Sequence, residues 1–200
     1  MTTLLFAAGV AVFFTPAAVL PCKVACPVLL LSLAVFLTRR RELFPFGLAF
    51  LFSAAGDAMG AGDLFIPQMS FFALAHIAYV WWFLPRARRP LRGTSLAVIV
   101  PLLAFLFAVI VPEAPFPGER IGVAVYGLII AAMLCSVLQY DGACAAGFRS
   151  AALLFVFSDG VIAWSRFIGP VPARTWVVMT TYYLAQYLFF RCAFKAATRS

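Results

Sequence analysis

Phe50-Leu51-Phe52-Ser53-Ala54-Ala55-Gly56-Asp57-Ala58-Met59-Gly60 and, one short turn later, Ser70-Phe71-Phe72-Ala73-Leu74-Ala75-His76-Ile77-Ala78-Tyr79 decide the fold. Both runs are apolar, and each carries one ionisable group: Asp57 in the first and His76, the single histidine of the chain, in the second. They read as two membrane-spanning helices within Phe50–Leu84. An aspartate in a membrane helix costs roughly 2.5–3.5 kcal/mol, so such a residue turns to a bundle interior and carries a role. Ser53, Gly56, Asp57 and Gly60 share one helix face, and Gln68, Phe72, His76 and Tyr79 share another. Two polar stripes on consecutive helices predict a common polar pocket.

Outward from this pair the chain stays apolar. Of its 200 residues 65% are hydrophobic and only 11% charged, which excludes a soluble domain and predicts one integral membrane domain over residues 1–200. The net charge of +8 does not point to nucleic acid, because the basic residues lie between apolar segments rather than in one patch. A span needs about 20 apolar residues. That rule predicts an all-α, polytopic helical protein of about eight transmembrane helices: Thr3–Leu20, Val24–Thr38, Leu43–Gly60, Phe65–Leu84, Thr94–Val111, Ile121–Tyr140, Phe148–Ile168 and Thr175–Phe194. A seven-span chain with a merged or re-entrant second segment is the competing reading. Met1-Thr2-Thr3-Leu4-Leu5 has no basic stretch, so the first segment reads as a span rather than a cleaved signal. The run Pro112–Gly118, with prolines at 112, 115 and 117, is expected to break the helix there.

Lys and Arg set the expected orientation. Eleven of the 15 fall on the side of both termini: Arg39, Arg40, Arg41, Arg86, Arg88, Arg89, Arg92, Arg149, Arg191, Lys195 and Arg199. Lys23, Arg120, Arg166 and Arg174 fall on the other. Both termini are therefore expected in the cytoplasm, in the inner membrane if the cell is bacterial. Phe72–His76 is similar to Tyr182–Gln186, and Gly56-Asp57 to Ser158-Asp159, at offsets of 110 and 102. This faint repeat divides the chain near residues 1–92 and 93–200. Four spans per half would make the halves parallel.

Asp57 and Asp159 lead the candidate residues. Each either holds helices together by hydrogen bonding or, as a pair in a low-dielectric pocket, shares a proton and supplies one general acid and one carboxylate base. His76 is a helix contact, or a proton shuttle or substrate orienter. Arg166 lies two turns beyond Asp159. It either snorkels to lipid phosphate or binds a substrate phosphate through its planar fork of donors. Lys23 has the same two readings. Tyr79, Tyr182, Tyr183 and Gln186 either line the pocket or pack the bundle. Cys22, Cys26, Cys135, Cys144 and Cys192 are odd in number and form no CxxC pair, so neither a zinc site nor a disulfide framework is expected. With no HExxH and one histidine, no metal and no cofactor is expected. Gly56–Gly60 is formally GxxxG, a signal of close helix packing.

The "GD" of the third span, the "FFALAHIAY" of the fourth and the end "LLFVFSDGVIAWSRFIGPVPARTWVVMTTYYLAQYLF" resemble the YhhN/TMEM86 family of eight-span membrane proteins. Its mammalian members are lysoplasmalogenases. The family's intramembrane aspartates, proposed as catalytic, correspond to Asp57 and Asp159. The family commonly opens its second span with Lys-Pro. Here Lys23-Val24 stands instead, with Pro27 later. The resemblance implies a lysophospholipid substrate drawn from the membrane and hydrolysis of a vinyl ether to a fatty aldehyde and a glycerophospho-base. The alternative is a transporter or lipid-binding protein with a midplane carboxylate site, since carboxylates at that depth occur there too.

Overall fold

The computed structural model describes residues 2–15 and 21–198. The side chains of Pro21, Cys22 and Thr94 lie outside that description. The readings placed on Cys22, on Arg199 and on the end of the first expected span therefore fall outside the described residues.

The described residues form eight helices: α1 (Thr2–Phe13), α2 (Pro21–Leu37), α3 (Phe44–Ala61), α4 (Phe65–Phe83), α5 (Gly93–Phe105), α6 (Pro117–Gln139), α7 (Ala145–Phe167) and α8 (Arg174–Ala197). α5 runs on through a π-helical turn, Leu106–Ile110, to a last helical turn, Val111–Glu113. The all-α reading holds. Among the described residues, four helices are long and apolar enough to cross a membrane: Arg41–Ala61, Ser95–Glu113, Pro117–Gln139 and Ala145–Phe167. The chain is a multi-pass membrane protein.

The expected break at Pro112–Gly118 is shorter than the sequence indicated. Pro112 sits in the last helical turn and Pro117 opens α6, so the interruption is Ala114–Phe116. Proline lacks only an N–H that the first turn of a helix leaves unpaired anyway, so it starts a helix as readily as it stops one.

An aromatic core joins α3, α4, α7 and α8. Phe46, Phe50, Tyr79, Phe83, Phe148 and Phe189 are fully buried. Tyr79 stacks on Phe189 at 4.3 Å between ring centres, and Phe83 meets Phe148 edge-on at 4.9 Å. Between α3 and α4 the GxxxG reading holds. A Cβ on Gly56 would meet the Phe72 ring at 3.0 Å, and one on Gly60 would run into the Gln68 amide. Between α2 and α3, Ser32 donates a 2.9 Å hydrogen bond to the Gly47 carbonyl. The apolar side chains left outside, such as Leu37, Val100, Trp81 and Phe157, are those a bilayer would cover.

α5 stands apart. Along its most apolar stretch 11% of residues are buried, against 56% for α3. It touches α6 through a small cluster of Leu106, Ile110 and Val123. Gly127 permits this approach, because a Cβ there would collide with Leu106. The stand-off leaves space between α5, α6 and α7.

Contacts sort the loops into two ends. At the basic end, Trp82 donates to the Glu42 carbonyl, the Arg89 amide bonds the Gln139 carbonyl at 3.0 Å, and Arg89 pairs with Asp141 at 2.8 Å. At the opposite end, Arg166 reaches Glu119 at 3.6 Å and Arg174 donates to Ser165 at 2.6 Å.

The basic end also overturns the cysteine reading. Cys144 and Cys192 form a disulfide, with Cα atoms 5.4 Å apart and a sequence separation of 48. The start of α7 lies against the end of α8, and packing places the two thiols together. An odd count does not forbid one pair, and Cys26 and Cys135 remain free.

Candidate functional site

Asp57 lies near the C-terminal end of α3 and is 6% exposed. Its Oδ2 accepts a 2.8 Å hydrogen bond from the Tyr182 hydroxyl of α8. Asp159, on α7, has a side chain 10% exposed. Its Oδ2 accepts a 3.0 Å hydrogen bond from the Tyr126 hydroxyl of α6, and His76 Nε2 of α4 stands 3.4 Å away. Tyr126 and His76 are themselves 3.5 Å apart. Each aspartate thus gathers partners from other helices. Burying such polar groups is tolerable only when they are bonded in this way.

The two carboxyls line one cavity of about 250 Å³, together with Gln68, Ser158, Arg174, Thr175 and Tyr182. Asp159 also borders a second cavity of about 480 Å³ in the space left by α5, whose walls include Leu102, Phe105, Leu106, Ile110 and Trp164. Tyr126 and Asp159 are the polar side chains of that otherwise apolar lining. A third cavity, the outer one, about 660 Å³, lies at the end opposite the basic one. Its walls include Asp63, Gln68, Ser165, Arg166 and Arg174. Gly60, Gln68, Ile162 and Arg174 line both the aspartate cavity and the outer one. The apolar chamber and the aspartate cavity share only Asp159 in their walls, so one aspartate faces apolar space on one side and polar space on the other.

The remaining expected residues separate into two groups. Tyr182 belongs to the aspartate cavity, Arg166 lines the outer one, and His76 is fully buried behind Asp159. Arg166 is also held by Glu119 and stands 3.8 Å over the Phe65 ring. Tyr79, Tyr183 and Gln186 do not line these cavities. Tyr79 donates to Gln186 Oε1 at 2.9 Å in the aromatic core, and Tyr183 donates to the Val24 carbonyl at 2.8 Å, tying α8 to α2. Lys23, half-buried in the first turn of α2, lines none of the three cavities. Sequence reasoning missed Tyr126 and Arg174. Tyr126 lies on an apolar helix that offers no polar stripe, and Arg174 passes for an interfacial charge at a span end.

These features define an all-helical, multi-pass membrane protein with two carboxyls on a shared internal cavity. The YhhN family model matches residues 18–193, and the chain belongs to that family. It is 39% identical over 153 residues to human lysoplasmalogenase TMEM86B, covering 74% of this chain and 62% of the relative. Pig lysoplasmalogenase TMEM86B is 37% identical over 141 residues, covering 70% and 59%. Human lysoplasmalogenase TMEM86A is 34% identical over 153 residues, covering 69% and 60%. The chain spans about three-fifths of the length of these relatives. No solved structure matches it.

Proposed function

We propose that this protein hydrolyses the vinyl ether bond of an alkenyl glycerophospholipid with a single chain, releasing a fatty aldehyde and a glycerophospho-base. The observation that carries the reading is that Asp57 and Asp159 line one cavity while Asp159 also borders an apolar chamber. Kinship with relatives named lysoplasmalogenase supports it.

In this reading the two aspartates act as acid and base. One carboxylic acid donates its proton to the outer carbon of the vinyl ether, and the electron pair of the double bond forms the new C–H bond. The carbon attached to oxygen becomes an oxocarbenium ion beside the remaining carboxylate. Water adds there and gives its proton to that carboxylate. The hemiacetal then breaks its carbon–oxygen bond to the glycerol, whose oxygen regains a proton as the aldehyde forms. Two carboxyls and one water suffice, as in inverting glycoside hydrolysis. Tyr182, Tyr126 and His76 orient the carboxyls, and Arg166 serves the head group. Tyr79, Tyr183 and Gln186 support the helices that carry them, and Lys23 anchors α2 at the interface.

The same reading takes the whole chain as one membrane domain with eight spans in two parallel halves and both termini in the cytoplasm. The crossed contacts support the pairing of halves: Asp57 is held from the second half by Tyr182, and Asp159 is approached from the first by His76. Incubating detergent-purified protein with a lysoplasmalogen tests the activity. Stoichiometric release of fatty aldehyde is expected. Lipid retained without aldehyde would mark a lipid-binding or transport protein instead.

A further inference from the structure

At the basic end, Arg39, Arg40 and Arg41 line one cavity of about 290 Å³ between α2 and α3, together with Val35, Phe36 and Phe44. All three arginines are exposed, and among the described residues none of them forms an ion pair. Glu42 follows them in sequence but does not line the cavity. Other arginines of that end are engaged. Arg86 donates to the Trp82 carbonyl at 2.8 Å, Arg89 pairs with Asp141, and Arg149 donates to the Tyr140 carbonyl at 2.8 Å. Arg88 and Arg92 are exposed and do not line this cavity. The turn that carries the three arginines is held by its own bonds. The Thr38 hydroxyl donates to the Val35 carbonyl at 2.7 Å and accepts from the Arg40 amide at 3.3 Å, and the Leu43 amide bonds the Arg40 carbonyl at 3.1 Å. Arg39 has φ 55°, a left-handed conformation uncommon outside glycine. The apolar wall is as fixed. Phe36 meets Phe44 edge-on at 5.8 Å, and a Cβ on Gly47 would come within 2.7 Å of the Phe36 ring. Leu33 and Leu37, both exposed, share the face of Phe36 by their spacing and continue that wall along α2.

We propose that this cavity holds an anionic membrane phospholipid, with its phosphate on Arg39, Arg40 and Arg41 and its chain along Phe36, Phe44 and the outward face of α2. Three unpaired cations beside an apolar wall match a ligand that joins an anion to a hydrocarbon chain. Guanidinium forks suit phosphate oxygens, and basic pockets between membrane helices attract anionic lipid from the adjoining leaflet. A zwitterionic head group would bring its own cation among the three guanidiniums, so the cavity selects by repulsion as well as attraction. The site shares no wall residue with the aspartate cavity. A lipid bound there is therefore a component of the folded protein and not its substrate, and the proposal stands apart from the hydrolase reading. By contacting α2 and α3 together it would stabilise the corner between them.

The test is lipid retention, read by native mass spectrometry of the full chain in detergent. The probes are phosphatidylglycerol, phosphatidylcholine with the same chains, and glycerol phosphate. Wild-type protein is expected to hold one phosphatidylglycerol about tenfold or more tighter than phosphatidylcholine. Arg39→Asn, Arg40→Gln and Arg41→Gln are each expected to weaken phosphatidylglycerol about fivefold and to leave phosphatidylcholine unchanged. Asn is chosen at position 39 because it also adopts the left-handed conformation found there. The triple variant is expected to lose the preference entirely, and the three single variants carry the test should the triple fail to fold. Arg88→Gln with Arg92→Gln removes two charges outside the cavity and is expected to leave the preference intact. Glycerol phosphate, which has the anion without the chain, is expected not to compete at equal concentration. Equal retention of the two lipids by wild-type protein overturns the proposal. So does a wild-type preference in all three single variants. Equal weakening by the Arg88/Arg92 pair and by Arg40→Gln with Arg41→Gln would show diffuse surface charge instead of a site. Competition by glycerol phosphate as strong as that of the lipid would show a site for free anions.

Discussion

The Tyr182 hydroxyl donates a 2.8 Å hydrogen bond to Asp57 across a sequence separation of 125 residues. The bond joins α8 to α3 at the wall of the cavity that Asp159 also lines. It fixes the rotamer of the Asp57 carboxyl, which neighbouring apolar side chains alone would leave free to turn. Tyr182→Phe keeps the ring, which meets Phe72 edge-on at 5.9 Å, and removes the donor. A hydrogen bond to a charged group is worth about 1.5–3 kcal/mol, so kcat is expected to fall roughly ten- to hundredfold while the protein stays folded. Tyr126→Phe is expected to act on Asp159 in the same way. Steady-state kinetics with thermal unfolding curves of both variants check this. Full kcat in either would mean that its tyrosine does not position the carboxyl.

Gly160 borders the apolar chamber, and a Cβ placed on it would meet no neighbouring atom within 4 Å. A side chain there would start in open space at the wall of the chamber and reduce its volume. Gly160→Phe is expected to raise KM for long-chain substrates several-fold and to spare short-chain ones. Its stability should not fall, since glycine inside a helix is worse than other residues by up to about 1 kcal/mol. Kinetics over a series of chain lengths give the answer. Uniform loss at every length would show that the chamber does not hold the chain.

At the basic end, hydrogen bonding and charge from Arg89 hold the Asp141 carboxyl below its ordinary range. A carboxyl whose pKa is lower folded than unfolded adds stability above the unfolded value, and that stability is lost as pH falls through the folded one. The pair is exposed, so its contribution is small. Asp141→Asn is therefore expected to lower Tm slightly at neutral pH, with the difference closing below about pH 4, near the unfolded carboxyl value. Unfolding curves at pH 7 and pH 3.5 check the sign. A gap that widens in acid would contradict the assignment.

The orientation inferred from the basic residues predicts that reporters at Ser200 and in the Ala114–Phe116 loop report opposite sides of the membrane. Same-side signals would remove the eight-span topology.

How legible the site was depends on contrast with the surrounding sequence. Asp57, Asp159 and His76 stood out because each is polar in an apolar run, and the structure gathers them. Tyr126 did not stand out, because an aromatic residue in a membrane helix is ordinary. Tyr79 and Tyr183 drew attention for the polarity of their hydroxyls, yet their bonds to Gln186 and the Val24 carbonyl serve helix packing. The apolar chamber was invisible because it comes from how far α5 stands from α6 and α7, and no single residue reports that distance. The Cys144–Cys192 pairing was hidden for a similar reason, since it depends on which helix ends meet.

The central claim is that Asp57 and Asp159 form one acid–base unit, and aldehyde release by Asp57→Asn, Asp159→Asn and the double variant tests it most directly. Asn keeps the volume of the side chain and much of its hydrogen bonding but cannot give or take the proton. Each single variant, folded by its unfolding curve, is expected to lose about 10²–10⁴-fold in kcat. The double variant should be scarcely slower than either single, because groups that act as a unit are not additive. Near-normal turnover in a folded Asp57→Asn or Asp159→Asn protein would contradict the account.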